Sequence, residues 1–540
     1  MSAHTVAIIG LGPKGLYCLE RLCAEYAASP LPEPLVVHIF DRADCSPIYD
    51  TTQPDHILVN VAVGEIDLWD AVDPPPAAGR GPSFVEWYGG PLTGNEYLPR
   101  SVVGRYLRDG LQRIVDQVPS GMTIELHRNE VIDIDDGRGV RPRPPARHSR
   151  ADARLADEGV RLSVTWDGGE VVADKILLAT GHQRNVAEPA PEGGLFIPFV
   201  YPVTEMMRPI PAGSRVAMLG IGLTFIDAVL ELTEGRGGRF VDGTYVRSGN
   251  EPAVIYPYSR TGLPMTPKPD DLPPAPRKLR FVTEEALAVL RRQGQVDFER
   301  DVIPLIDREL DGFDWRSAIN PAVDDVTRYM EEAIASAKSE VSPISLWYEI
   351  RMALNGILSF GGFTPESHRA LIEYYFPRFK RVVFGPPVIN AEKILALTKA
   401  GVIDFRFSRA PRVEGVDVLI DARFPKTDVT RDASPLYRNL CRRGTIRPFR
   451  NGDYAPGAID MTPGTQCVIG VDGDVNEDIA VIGIPTEGNF VGNLTIGRDP
   501  FAARWARDVI RSLQASGLGP QASAEHRPFR GPRSEARGLS

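Results

Sequence analysis

The tightest constraint on this chain is a short apolar run, Val6 to Ile9, that leads into Gly10-Leu11-Gly12-Pro13-Lys14-Gly15 and then a segment, Leu16 to Tyr26, with apolar residues at helical spacing. Strand, tight turn and helix in that order give each glycine a task. Gly10 lies where the chain turns, Gly12 where backbone must approach a pyrophosphate, and Gly15 where helix and sheet pack closely. A second apolar strand, Leu35 to Phe40, ends at Asp41, 26 residues after Gly15, where a carboxylate accepts hydrogen bonds from the ribose hydroxyls of an adenosine. The segment predicts a βαβ unit whose helix N-terminus, with Pro13 in the turn, faces the phosphates of a dinucleotide.

The pattern recurs at Arg215 to Leu219, which enters Gly220-Ile221-Gly222-Leu223-Thr224-Phe225 and a helix through Leu232. Two glycines remain for turn and phosphate, and Phe225 replaces the third. The following strand, Ala253 to Tyr256, leads to Ser259-Arg260-Thr261-Gly262 with no acid at its end. Arg260 there suits a 2′-phosphate and favours NADP over NAD; a solvated loop arginine is the alternative. Between the two turns, Lys175 to His182 is an apolar strand ending in Ala179-Thr180-Gly181. Such a strand returns beside the FAD site in two-dinucleotide flavoproteins, which assigns Thr180 and Gly181 to FAD.

These features predict an α/β fold: an FAD Rossmann-like domain with an inserted NADP Rossmann-like domain, plus a mainly helical segment. The expected boundaries are 1–205 for the first part of the FAD domain, with an exposed loop insertion at about 137–159. The NADP domain follows at 206–266, a helical substrate or lid region at 267–400, the return to the FAD domain at 401–516, and a flexible tail at 517–540.

With 61 Lys+Arg against 71 Asp+Glu the net charge is −10, which argues against a surface that tracks nucleic-acid phosphates. Cys18, Cys23, Cys45, Cys441 and Cys467 form no CxxC pair and are odd in number, so reduced thiols rather than a disulfide scaffold are expected. No uninterrupted apolar run reaches membrane-spanning length, and because neither a basic n-region nor a cleavage site comes before the first strand, no secretory leader is expected. A cytoplasmic protein is expected, with no metal site, and a homo-oligomer is left open.

Beyond the generic turns, several runs resemble the family of FAD- and NAD(P)-binding proteins that includes the aspartate N-monooxygenases (nitrosuccinate synthases) and FAD-dependent urate hydroxylase. They are Pro54 to Val61, Phe84 to Trp87, Leu98-Pro99-Arg100 with Gly104-Arg105-Tyr106, Ala179 to His182, Gly220 to Thr224 with Asp227, Ser259 to Gly262, Phe384 to Pro387, Leu395 to Leu397 with Ala400-Gly401, and Ser434 to Leu436. The layout is more distantly similar to the lysine and ornithine N-hydroxylases. The resemblance spans most of the chain. It implies FAD, NADPH as reductant, and oxygen activated on the reduced flavin as a C4a-hydroperoxide that a nucleophilic substrate atom attacks. One departure is Ile420-Asp421-Ala422-Arg423-Phe424, where a small Ala-Thr-Gly-like turn is expected; Arg423 would face ligand or solvent.

The flavin ring is expected near Asn60 and near Gly488-Asn489, after the strand Ile479 to Ile484. The partners expected are O2 and a small amine or acid. Aspartate, the leading substrate, needs arginines for its carboxylates, and Arg280 and Arg447 are the candidates. His56, near the flavin segment, is a candidate contact to cofactor, oxygen species or substrate, with a structural role as the alternative. Two competing readings are a hydroxylase of a purine-like ring such as urate, which aromatic stacking by Trp69, Trp87 or Trp347 would favour, and a non-catalytic FAD/NADP-binding redox sensor or partner subunit.

Overall fold

The structure, a computed structural model, describes residues 3–43, 47–69, 72–137, 162–182, 194–269, 278–339, 346–489, 496 and 499–517. The expected loop insertion lies almost wholly outside these residues, as do Cys45 and nearly all of the expected tail.

A six-stranded sheet forms the first layer, in the order Cys467–Ile469, Val475–Val481, Lys175–Leu178, His4–Ile9, Leu35–Phe40, Met122–His127. All neighbours are parallel except the outermost pair at the Cys467 end. The central strands are apolar runs without alternation because a parallel sheet is covered on both faces. One cover is the helix Pro13–Ala28, which Leu16, Leu19 and Leu22 press into a core shared with Trp505 and Val509 of the last helix, Pro500–Gly517. The other face packs on the antiparallel sheet Val131–Asp135, Leu162–Trp166, Gly169–Ala173.

The second layer is a four-stranded sheet, Val254–Tyr258, Arg215–Leu219, Val418–Asp421, Leu195–Ile197, parallel throughout. Its membership corrects the expected boundaries. Leu195–Ile197 precedes the expected start at 206, and Val418–Asp421 follows the expected return to the FAD domain at 401. Strands of three or four apolar residues do not say which sheet they join; hydrogen-bond partners decide, and Ile420 pairs with Ile197 on one side and Met218 on the other. This also accounts for the departure at Ala422: the strand approaches the second turn rather than the first.

The helical region has its own core, from Val282 to Phe379 around Phe298, Trp315 and Trp347. The expected unit ended at 400, yet Ile394 and Leu397 of the helix Val388–Lys399 belong to the core of the second sheet.

Candidate active site

The first turn is built without room for side chains. Gly10 adopts φ +103°, and a Cβ on it would lie 2.2 Å from the Ala179 carbonyl oxygen; one on Gly15 would lie 2.0 Å from that of Gly10. Gly12 caps the helix with no side chain between its N-terminus and whatever lies before it. Asp41 accepts from the backbone N–H of Leu11 at 2.6 Å and of Ala43 at 3.0 Å, tying the strand end to the turn. Burial pushes its carboxyl up, opposed by those bonds, and each oxygen keeps a lone pair for a ribose.

At the second turn Gly220 adopts φ +110°, with its Cβ position 3.0 Å from the Ala422 oxygen, while a Cβ on Gly222 would meet nothing within 4 Å. Ser259 accepts from the Gly262 N–H at 3.1 Å. Arg260 is exposed and has no hydrogen bond or ion pair among the described residues. Arg423 forms a bidentate pair with Asp421 at 2.8 and 2.6 Å.

Both turns open on one cleft of about 3330 Å³, several times the roughly 300–1,000 Å³ of a pocket for one small ligand and suited to two dinucleotides and a substrate. Gly10, Gly12, Pro13, Asp41, Asn60, Thr180, Gly181 and Gly488 line it on the first side, and Gly220, Gly222, Leu223, Thr224, Ser259 and Arg260 on the second. Two expected FAD residues stand behind its wall. Gly15 has the packing role expected of it, and Asn489 is fully buried, donating to the Ile459 oxygen at 3.1 Å.

Three expected substrate contacts are corrected. Arg280 is 63% exposed and reaches Glu309 at 3.8 Å outside the cleft, because Glu309 caps the backbone N–H groups of residues 280–282. Arg447 is held by Asp460 at 2.7 Å. His56 pairs with Glu231 at 2.9 Å, away from the cleft, in the structural role kept as its alternative.

Other charged and polar side chains line the cleft instead. Lys268 lines the cleft and donates to the Asn60 carbonyl at 2.6 Å, over the Tyr97 ring. Burial pushes its ammonium down from 10.5 to about 8. The Asn60 carboxamide donates to the Phe384 oxygen at 3.3 Å, and its own Oδ1 is buried without a partner among the described residues. The buried Arg351 guanidinium lies 5.0 Å from the Phe384 ring. Thr180 shares a 2.7 Å hydrogen bond with Tyr437. Lys268 stands between two prolines and Arg351 inside a helix with no motif around it, so no spacing rule could single them out.

The two nucleotide units are joined by a buried network. Arg100 reaches Asp227 at 2.7 Å and Tyr201 at 2.9 Å, and the Tyr201 hydroxyl donates to Asp227. Burial pushes the Asp227 carboxyl up, and the Arg100 guanidinium opposes it. Arg100 and Asp227, two residues of the family-like runs far apart in sequence, are thus partners in space.

The cleft fits both cofactors: a side-chain-free helix start and an Asn60 oxygen without a partner among the described residues on one side, and open space over Gly222 with an Arg260 unpaired among those residues on the other. These features are those of a two-dinucleotide flavoprotein oxidoreductase that uses FAD and NADPH. Residues 7–183 match the family described as FAD-NAD(P)-binding. The chain is 26% identical over 595 residues to nitrosuccinic acid synthase of Aspergillus oryzae, covering 90% of this chain and 88% of that one. It is also 26% identical to an L-aspartate N-monooxygenase (nitrosuccinate-forming) of Streptomyces davaonensis, covering 83% and 86%. The solved structure of reduced ornithine hydroxylase from Pseudomonas aeruginosa shares the fold, with a TM-score of 0.50 at 12% identity over 95% of this chain and 99% of that one. No described helix is long and apolar enough to cross a membrane.

Proposed function

We propose that the chain is an NADPH- and O2-dependent flavin monooxygenase that oxidises the amino group of L-aspartate toward nitrosuccinate. The relatives' names support the reaction, and one feature of the cleft carries the substrate: two cations that line it, the half-buried Lys268 and the buried Arg351, contact Asn60 and Phe384, which are themselves hydrogen-bonded. A dicarboxylate needs two such charges, and a water-poor wall strengthens both contacts. Bound FAD, reduced by NADPH, supplies the oxygen-transfer chemistry.

The chain's own residues position and shield. Lys268 and Arg351 hold the carboxylates, leaving the amine as the free end of the substrate. Phe384 and the Asn60 segment exclude water from that end, which favours the neutral amine that oxygen transfer requires. The aromatic alternative has less support: Trp69 is in the core under the first sheet, Trp87 donates to Asp109 at 2.9 Å, and Trp347, which borders the cleft, has its ring buried and stacked on Phe379. We place the protein in the cytoplasm, where NADPH and reduced thiols such as the buried Cys18 and Cys23 are maintained.

The test is NADPH oxidation under air, with hydrogen peroxide quantified, across aspartate, other small amino acids and urate. Aspartate is expected to accelerate NADPH use while the peroxide yield falls and an N-oxygenated succinate appears. Coupling by urate instead would overturn the substrate, and peroxide equal to NADPH with every compound would overturn the oxygenase.

A further inference from the structure

Outside the cleft, three ligating side chains meet on one face of the six-stranded sheet. The parallel register sets His38 opposite Glu125 and Phe40 opposite His127, and residues two apart on a strand share a face. His38 Nδ1 lies 2.9 Å from His127 Nε2, and Glu125 Oε2 lies 3.4 Å from the first and 3.9 Å from the second. The point equidistant from three atoms so spaced is about 2.0 Å from each, the length of a zinc–nitrogen or zinc–carboxylate bond.

We propose that His38, Glu125 and His127 form a binding site for one divalent ion of the zinc type. An N2O donor set suits zinc and its neighbours better than magnesium or calcium, which take oxygen ligands. The scaffold is rigid: both imidazoles sit on paired strands, and Phe40 and Trp166 pack on His127 with ring centroids at 4.6 and 5.1 Å. The entry side is open, since the Glu125 side chain is half exposed, leaving a fourth position for water. The site adjoins the adenosine end of the FAD site, because the Asp41 N–H donates to the His127 carbonyl at 3.1 Å and Phe40 lines the cleft. An ion there braces the two strand ends that present Asp41.

Holoenzyme freed of metal by a chelator and dialysed is titrated calorimetrically with zinc chloride, and with cobalt(II) followed by visible absorption. One ion per chain is expected, with the cobalt spectrum of a low-symmetry site. Glu125→Gln, at a half-exposed position that leaves folding intact, should weaken zinc binding by roughly tenfold or more, at least the loss expected of an outer-shell partner. His127→Ala, checked for retained flavin absorbance, should abolish it. Absence of binding by the parent protein, or undiminished binding in either variant, would overturn the site.

Discussion

The two glycine turns follow the same path and differ in how much space surrounds it. In both, the first glycine donates to the end of the next strand at 2.8 Å, Gly10 to Phe40 and Gly220 to Tyr258. The first helical bond then differs, 2.9 Å from Leu16 N to the Gly12 oxygen against 3.3 Å from Ile226 N to the Gly222 oxygen. Gly15 has a carbonyl where its Cβ would be, whereas the matching Phe225 buries a whole ring in the second core. Asp41 clamps the first turn through Leu11; no acid stands at the matching place in the second. One fingerprint thus serves two tolerances, a locked first turn and a roomier second one.

The largest effect expected from this contrast is at Gly10. Gly10→Ala places a methyl 2.2 Å from a backbone oxygen at a positive φ, a strain of more than about 4 kcal/mol. The protein should purify without flavin and with a lowered Tm; stoichiometric yellow protein would show that the first turn is not locked. Next is the link between the halves. Asp227→Ala leaves the Arg100 guanidinium buried with its charge unmatched, at about 3–5 kcal/mol, measured as the shift in a denaturant midpoint with the slope unchanged.

Lys268 gives a pH test. Its folded pKa, about 8, lies below the ordinary 10.5, so its charge is present below pH 8 and lost above. The unfolded chain binds the extra proton between those values, and stability therefore rises with pH across that window. Binding moves the opposite way. Succinate, which has the carboxylates and no amine, should inhibit about tenfold more weakly per pH unit above 8, and Lys268→Arg should flatten that profile. A flat profile in the parent protein would remove Lys268 from the carboxylate site.

The smallest effects belong to the roomier turn. Arg260→Ala should raise the KM for NADPH by about tenfold, near 1.4 kcal/mol, and leave NADH unchanged; equal effects on both would end its 2′-phosphate role. Gly222→Ala, with nothing within 4 Å of the new methyl, should keep FAD and change stability by less than about 0.5 kcal/mol while weakening NADPH. Loss of flavin from that variant would abolish the contrast between the turns.

Local chemistry was legible wherever a few consecutive residues carry a backbone requirement. Gly10, Gly12, Gly15 and Asp41 announce their geometry because a turn, a close approach and a strand end need those residue types at that spacing, and Gly220 and Gly222 do so even without the third glycine. Arginine carries no such requirement. Arg280 and Arg447 were as plausible on paper as Arg351, and only the partners Glu309, Asp460 and Phe384 separate them. The His38–Glu125–His127 cluster was equally hidden, since it exists only once two strands are in register.

The sequence by itself determined the two-dinucleotide architecture, the backbone geometry of both glycine turns and the helical segment, because glycine conformation and apolar periodicity act over neighbouring residues. The tertiary structure alone decided which sheet takes Val418–Asp421, which cations reach the cleft and how Arg100 meets Asp227. Those outcomes depend on contacts between residues a hundred or more positions apart, where burial and hydrogen-bond partners, not local preference, set the energy.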